Sequence, residues 1–216
     1  MKDINSIDKN QNLLISYLTL RKMIGVLGVM LPVILLIGCC VYCNDCRQSS
    51  ISSYYNTGMR DIFVGILFSI AVFLFNYKGY ESKDFIASNW AGISAIGVAL
   101  FGTDQEGYPT SFSGVMHYIC ATSFFMTLTY FCLILFTKTS GTGQPSLMKI
   151  LRNKIYKTCG YIMVLCLVMI IIYSVWLSKA IPGLSKLTPV FWLESFALWA
   201  FGVSWLVKGE IIFGDD

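Results

Sequence analysis

His117 is the only histidine in a chain of 216 residues, and it stands at the head of a long apolar run in SGVMHYICATSFF. Two acids hold matching places at the heads of other apolar runs: Asp61 in NTGMRDIFVG and Glu194 in TPVFWLESFALW. With Thr57, Ser113 and Thr188 as helix N-caps and Pro189 at a first helical position, all three lie about 6 to 9 Å below one set of helix ends. Each has a small residue on its own helical face, Gly65, Ala121 and Ala197 respectively, and small residues mark helix-facing sides in membranes. The expectation is a polar cluster of Asp61, His117 and Glu194 under one rim, covered by Tyr54, Tyr55 and Arg60. Two carboxylates and an imidazole can bind a polar headgroup, relay a proton or do acid–base work. The competing structural reading is plain: Asp61 sits where the helix dipole favours an anion, and His117 bonds a neighbour. One histidine without HxxxH or HExxH spacing gives no basis for a metal, and no nucleophile stands beside a base, so neither a cofactor nor a catalytic residue is assigned.

The elements that must position these residues follow from composition. The chain is 56% hydrophobic and 13% charged, with a mean hydropathy of +0.66. A soluble domain carries about 25% charged residues. The net charge of +4 is too small to point to nucleic acid. Six apolar runs occupy residues 23–42, 59–77, 85–101, 115–137, 158–177 and 189–207. Each approaches the length that crosses a bilayer as a helix, about 17 to 25 residues, and none shows the alternation of a barrel strand. The expected fold is all-α, a single transmembrane domain over residues 1–216 made of six transmembrane helices. Twelve of the sixteen Lys and Arg residues fall on the side of the two termini, which the positive-inside rule makes cytoplasmic. The N-terminus is too polar to begin a signal peptide, so the first run reads as a retained anchor.

Within the runs, Ala87, Ala91, Ala95 and Ala99 recur every four residues beside Ser88 and Gly92, a flat stripe for close helix packing, and Gly25 and Gly28 suit the same purpose. Pro32 is placed to kink the first helix. Asn89 and Trp90 suit a helix–helix hydrogen bond or the lining of an inner cavity. GCCVYCNDC crowds four cysteines at one end of the first run, where Cys43 and Cys46 form a CxxC open to disulfide, redox or metal chemistry, with a disulfide the expected use. Cys120, Cys132, Cys159 and Cys166 read as small apolar residues. After Pro145, Lys149, Arg152, Lys154 and Lys157 alternate with apolar residues, as in a short helix lying on anionic lipid or, equally, as the ordinary positive charge of a cytoplasmic loop.

The order of these motifs is similar to that of the damage-regulated autophagy modulator family and its bacterial six-helix relatives. The matching segments are SISSYYNTGMRDIFVGILF, NWAGISAIGVALFGTDQ and MHYICATSFFMTLTYFCLIL, with Ser52, Ile62, Phe63, Asn89, Gly97, His117, Ala121, Phe125 and Tyr130 at corresponding places. The likeness covers residues 20–207, in topology more than identity, and departs from the family at SSYYNTGMRD, where an Asp usually follows the Ser. It implies six spans, no assigned catalysis and a role around membrane lipid. The leading expectation is thus a non-enzymatic multi-pass protein of a plasma or bacterial inner membrane that binds, senses or organises lipid. Lipids are its expected partners, and a homo-oligomer is left open. A channel or proton- or cation-coupled transporter using Asp61, His117 and Glu194 is the first alternative, and an intramembrane lipid hydrolase or transferase the second.

Overall fold

The computed structural model describes residues 2–43, 47–79, 81–105, 108–138 and 146–211, with side chains from Tyr17 onward. Among them there is no strand. The helices are α1 (Lys2–Tyr42), α2 (Arg60–Phe75), α3 (Ser82–Leu100), α4 (Phe112–Tyr130), α5 (Leu147–Ile172), α6 (Ser178–Ala180) and α7 (Pro189–Lys208). π turns follow α4 over Phe131–Leu135 and α5 over Tyr173–Leu177. Short 3-10 helices occupy Ser52–Asn56 and Pro182–Leu187. Most of each apolar run is therefore helical, and α1 runs unbroken past Pro32.

Among the described residues four stretches are long and apolar enough to cross a membrane: Tyr17–Tyr42, Phe112–Leu135, Leu147–Ala180 and Pro189–Lys208. The helix α2 is not among them; its 16 residues extend about 24 Å, less than a typical hydrocarbon core of about 30 Å. Nor is α3, which opens on the polar Ser82, Lys83 and Asp84.

The large helices close into a ring in chain order. α1 packs on α2, α2 on α3, α3 on α4, α4 on α5, α5 on α7, and α7 returns to α1. The side of this ring facing outward is apolar. Tyr161, Leu165, Val168, Ile171 and Val175 of the α5 segment are all exposed, a surface that water would not tolerate and hydrocarbon would. Inside, Tyr77, Phe131, Phe136, Tyr156 and Trp205 form an aromatic core at one end, with ring centroids 5.0 to 5.7 Å apart in successive pairs. At the other end Leu31, Leu35, Tyr54, Phe63 and Phe191 pack together.

Small residues set two close seams. The alanines at 87, 91, 95 and 99 are all buried, and a Cβ on Gly92 would stand 2.8 Å from the Phe75 ring. At the ring's closure α1 and α7 approach backbone to backbone. A Cβ on Gly25 would lie 2.9 Å from the Gly202 carbonyl oxygen, and one on Gly202 would lie 2.7 Å from the Gly25 oxygen.

Local chemistry fixes the helix starts, in two cases away from the expected caps. Ser111, not Ser113, caps α4: its Oγ accepts from the Gly114 amide at 3.0 Å. Asp104 decides this by holding Ser111 through its backbone amide at 3.1 Å and its hydroxyl at 2.5 Å, while Ser113 donates instead to the Gly102 carbonyl. The chain enters α2 through Met59, and Thr57 serves the turn before it, accepting from the Met59 amide at 3.1 Å. Thr188 does precede α7, with Pro189 at its first turn, but in the left-handed region at φ 47° and without a side-chain cap.

Candidate functional site

His117 is fully buried in the second turn of α4. Its Nδ1 lies 2.7 Å from the Phe101 carbonyl oxygen, so Nδ1 carries the proton that is donated there. Nε2 is buried with no hydrogen-bond partner among the described residues. Glu194 sits on α7, partly buried. Its Oε2 accepts from the Ile51 amide at 2.6 Å, so it caps the start of the 3-10 helix Ser52–Asn56 from another helix. Beside it is a cavity of about 30 Å³, lined by Ser52, Leu31, Phe63, Val98, Phe125 and Glu194, with room for a single water molecule.

Asp61 does not join them. It lies in the first turn of α2 with its side chain exposed. The small neighbour that suggested an inward face, Gly65, has nothing within 4 Å of the place a Cβ would take; this face of α2 is the outside of the ring. No hydrogen bond or ion pair among the described residues links any two of Asp61, His117 and Glu194.

The first connecting loop covers this end of the bundle, in part with the expected residues. Tyr54 is fully buried against Phe191, with centroids 6.1 Å apart. Arg60 stacks 4.4 Å over Tyr55 and donates to its hydroxyl at 2.7 Å, and Tyr55 reaches the Leu100 carbonyl at 3.4 Å. Asn56 donates to the Thr103 carbonyl at 3.0 Å, and the Phe191 amide donates to the Ser49 carbonyl at 3.1 Å. The loop is thereby stitched to α3, to the α3–α4 connection and to α7. Cys43 is half-buried; Cys46 lies outside the described residues, and so does its expected pairing with Cys43.

A larger concavity lies on the outer face, between α3 and α4. This groove has a volume of about 780 Å³ and is lined by Ile86, Trp90, Tyr118, Ile119, Met126 and Tyr130, with Thr122, Ser123 and Thr127 on its α4 side. Trp90 Nε1 donates to Ser123 Oγ at 2.8 Å, and Ser94 Oγ donates to the same atom at 3.1 Å. The helix–helix bond expected of Trp90 is thus made, while Asn89 turns back to its own helix and donates to the Phe85 carbonyl. Sequence reasoning passed over the groove. The available signal was three hydroxyl residues, Thr122, Ser123 and Thr127, amid aromatic and methionine side chains.

At the opposite end, the basic segment after Pro145 is no separate helix but the first turns of α5. Lys154 and Lys157 are exposed, whereas Arg152 is buried and Lys149 donates to the Phe136 carbonyl at 3.0 Å. Two of the four residues expected on lipid therefore turn inward, since they lie on the face of α5 that meets the end of α4. Arg21 is buried beside them and donates to the Lys208 carbonyl at 3.3 Å. Lys138 pairs with Glu81 at 2.9 Å and Asp84 at 3.5 Å. The Glu81 hydrogen bond is the main influence raising the Lys138 ammonium above its ordinary range, with the Asp84 charge adding to it.

Among the described residues these features define an all-helical protein with four helices long and apolar enough to cross a membrane. Comparison with protein-family models, with curated proteins and with solved structures finds no match.

Proposed function

We propose that this chain is a multi-pass membrane protein that crosses the bilayer six times, keeps both termini in the cytoplasm and binds membrane lipid in the groove between α3 and α4. The groove carries the proposal. It is a wide, open groove of about 780 Å³ that faces outward and is walled by apolar and aromatic side chains, a surface along which an acyl chain can lie. The six-crossing layout draws on the ring: α2 and α3 fill the arc between α1 and α4, and the distribution of Lys and Arg orients it. The likeness to the damage-regulated autophagy modulator family is in keeping with this layout. A non-enzymatic role is favoured by how the inward ionisable groups are used. His117 Nδ1 serves the Phe101 carbonyl and Glu194 serves a backbone turn, so both groups already have structural duties.

Native mass spectrometry of the detergent-purified protein tests the reading. The expected result is a co-purifying lipid that is retained in the parent chain and lost in Thr122→Trp, whose added indole fills the groove from its exposed wall. Equal lipid retention in both proteins would end the groove proposal. Reporter fusions at each terminus test the layout separately, and two termini on opposite sides would overturn it.

A further inference from the structure

The groove between α3 and α4 has a polar spot in its wall, and the hydrogen bonds there do not close. Ser123 Oγ accepts the Trp90 indole N–H at 2.8 Å and the Ser94 hydroxyl at 3.1 Å. Both lone pairs of that oxygen are then in use, and its own proton is left to donate. Thr127 and Thr129, nearby on α4, send their protons to carbonyls one turn back, at 2.8 and 2.9 Å. Among the described residues no acceptor takes the proton of Ser123, or that of Thr122, whose side chain is exposed beside it in the groove.

On a water-facing surface solvent would serve both hydroxyls. In the proposed layout they stand at the centre of the hydrocarbon. Ser123 is the twelfth of the 24 residues of Phe112–Leu135, and Trp90 the ninth of the 19 residues of α3. At that depth there is no water to accept a proton, and an unmet hydroxyl in an apolar medium is costly.

We propose that the groove holds the ring of an isoprenoid quinone, a ring carbonyl of which accepts from Ser123 and Thr122. This rests on the reading of the groove as a lipid site and names the lipid. Depth is the first reason. The ester carbonyls of phospholipids stay at the edge of a core about 30 Å thick, roughly 15 Å from its middle. A quinone is apolar enough throughout to bring its carbonyls to the midplane. Charge is the second. None of the residues lining the groove is charged, so the acceptor has to be neutral. Shape is the third. The Trp90 indole is more than half exposed and is held in place by its bond to Ser123, a flat face at the same depth on which a ring can stack. The open side of the groove lets the isoprenoid tail remain among the lipids through which the molecule arrives. Binding forms hydrogen bonds only; no covalent bond changes and no electron moves.

The test titrates the full-length protein in detergent with decylubiquinone and, in parallel, with decylbenzene, which has a ring and a tail but no acceptor. Affinity is read from the dose-dependent rise in melting temperature that a ligand of the folded state produces. The parent should favour decylubiquinone by at least about fivefold, the scale of two net hydrogen bonds. Thr122→Val removes the hydroxyl, keeps the shape and loses no bond within the protein. It should weaken decylubiquinone by about threefold to tenfold and leave decylbenzene unchanged. Thr122→Trp should abolish binding of both. No saturable shift with decylubiquinone, equal affinity for the two ligands in the parent, or an undiminished decylubiquinone affinity in folded Thr122→Val would overturn the quinone. The groove stays a lipid site in those cases if Thr122→Trp still loses its co-purifying lipid. Decylubiquinone binding that survives in folded Thr122→Trp would place the ligand elsewhere and end both readings.

Discussion

Glu194 Oε2 takes a backbone amide of the first loop at 2.6 Å, which makes this side chain a structural cap reaching across from another helix. Glu194→Ala therefore removes an N-cap from Ser52–Asn56 and should destabilise the protein by about 1 to 2 kcal/mol. A thermal melt in detergent would register the loss, and Glu194→Gln, which keeps an acceptor oxygen, should recover most of it. Thr188 is a second sensitive position. A β-branched residue at φ 47° is strained, so Thr188→Gly should raise the melting temperature, relieving about 1 kcal/mol. A melting temperature that falls would show that the threonine earns its place through contacts. At this scale His117 and Glu194 were legible as inward-facing residues, because each shares a helix face with an alanine that packs on neighbours. Asp61 was not. Glycine reads the same in sequence whether it admits a neighbouring helix, as Gly25 does, or merely lacks a side chain on an open surface, as Gly65 does.

Between elements, the seam of α1 and α7 leaves no room for a side chain, because backbone meets backbone. Gly202→Val places methyl groups where the Gly25 carbonyl and the Val29 backbone already stand. Overpacking of this kind costs about 1 to 3 kcal/mol or more, and the variant should show a lowered melting temperature or fail to accumulate in the membrane. Gly65→Val, facing open space, is the matched control and should be nearly neutral. The α3–α4 boundary offers another prediction. Lys138 joins the start of α3 to the end of α4 through Glu81 and Asp84, and its pKa is raised in the folded protein. The stabilisation is complete below the ordinary lysine pKa of about 10.4 and is lost as pH rises through the higher folded value. Lys138→Met should thus melt at a lower temperature than the parent at pH 7 to 9, with the gap closing above about pH 10.4. The alanine stripe of α3 announced itself in sequence because its four-residue period has no rival explanation. The N-caps of α2 and α4 did not. Two serines two residues apart are equal candidates until Asp104, from the preceding loop, selects one.

For the molecule as a whole, continuous apolar runs made the helical class readable, since nothing but a helix satisfies so long an apolar backbone segment in hydrocarbon. The groove was not readable, because it is space on the outer face between α3 and α4, beside the Trp90–Ser123 bond, and a gap has no residue of its own. The basic segment misled for a related reason. Its amphipathic period fits a helix resting on lipid equally well as the opening turns of a longer helix whose inner face meets α4. The groove itself yields a prediction at this scale. Trp90→Phe cuts the tie to Ser123 while keeping the apolar wall, so it should alter which lipids co-purify more than it alters the melting temperature. Mass spectrometry of the two preparations side by side makes the comparison.

The ring closes between the first helix and the last, with Arg21 reaching the Lys208 carbonyl at one end and Gly25 meeting Gly202 farther in. A ribosome makes α1 first and α7 last, so the glycine face of α1 stays bare for nearly the whole of translation. Nascent chains halted before residue 189 should be recognised by quality control and cleared, whatever the merits of the five large helices already made. A separately expressed α7 should rescue such a truncation by filling the vacancy.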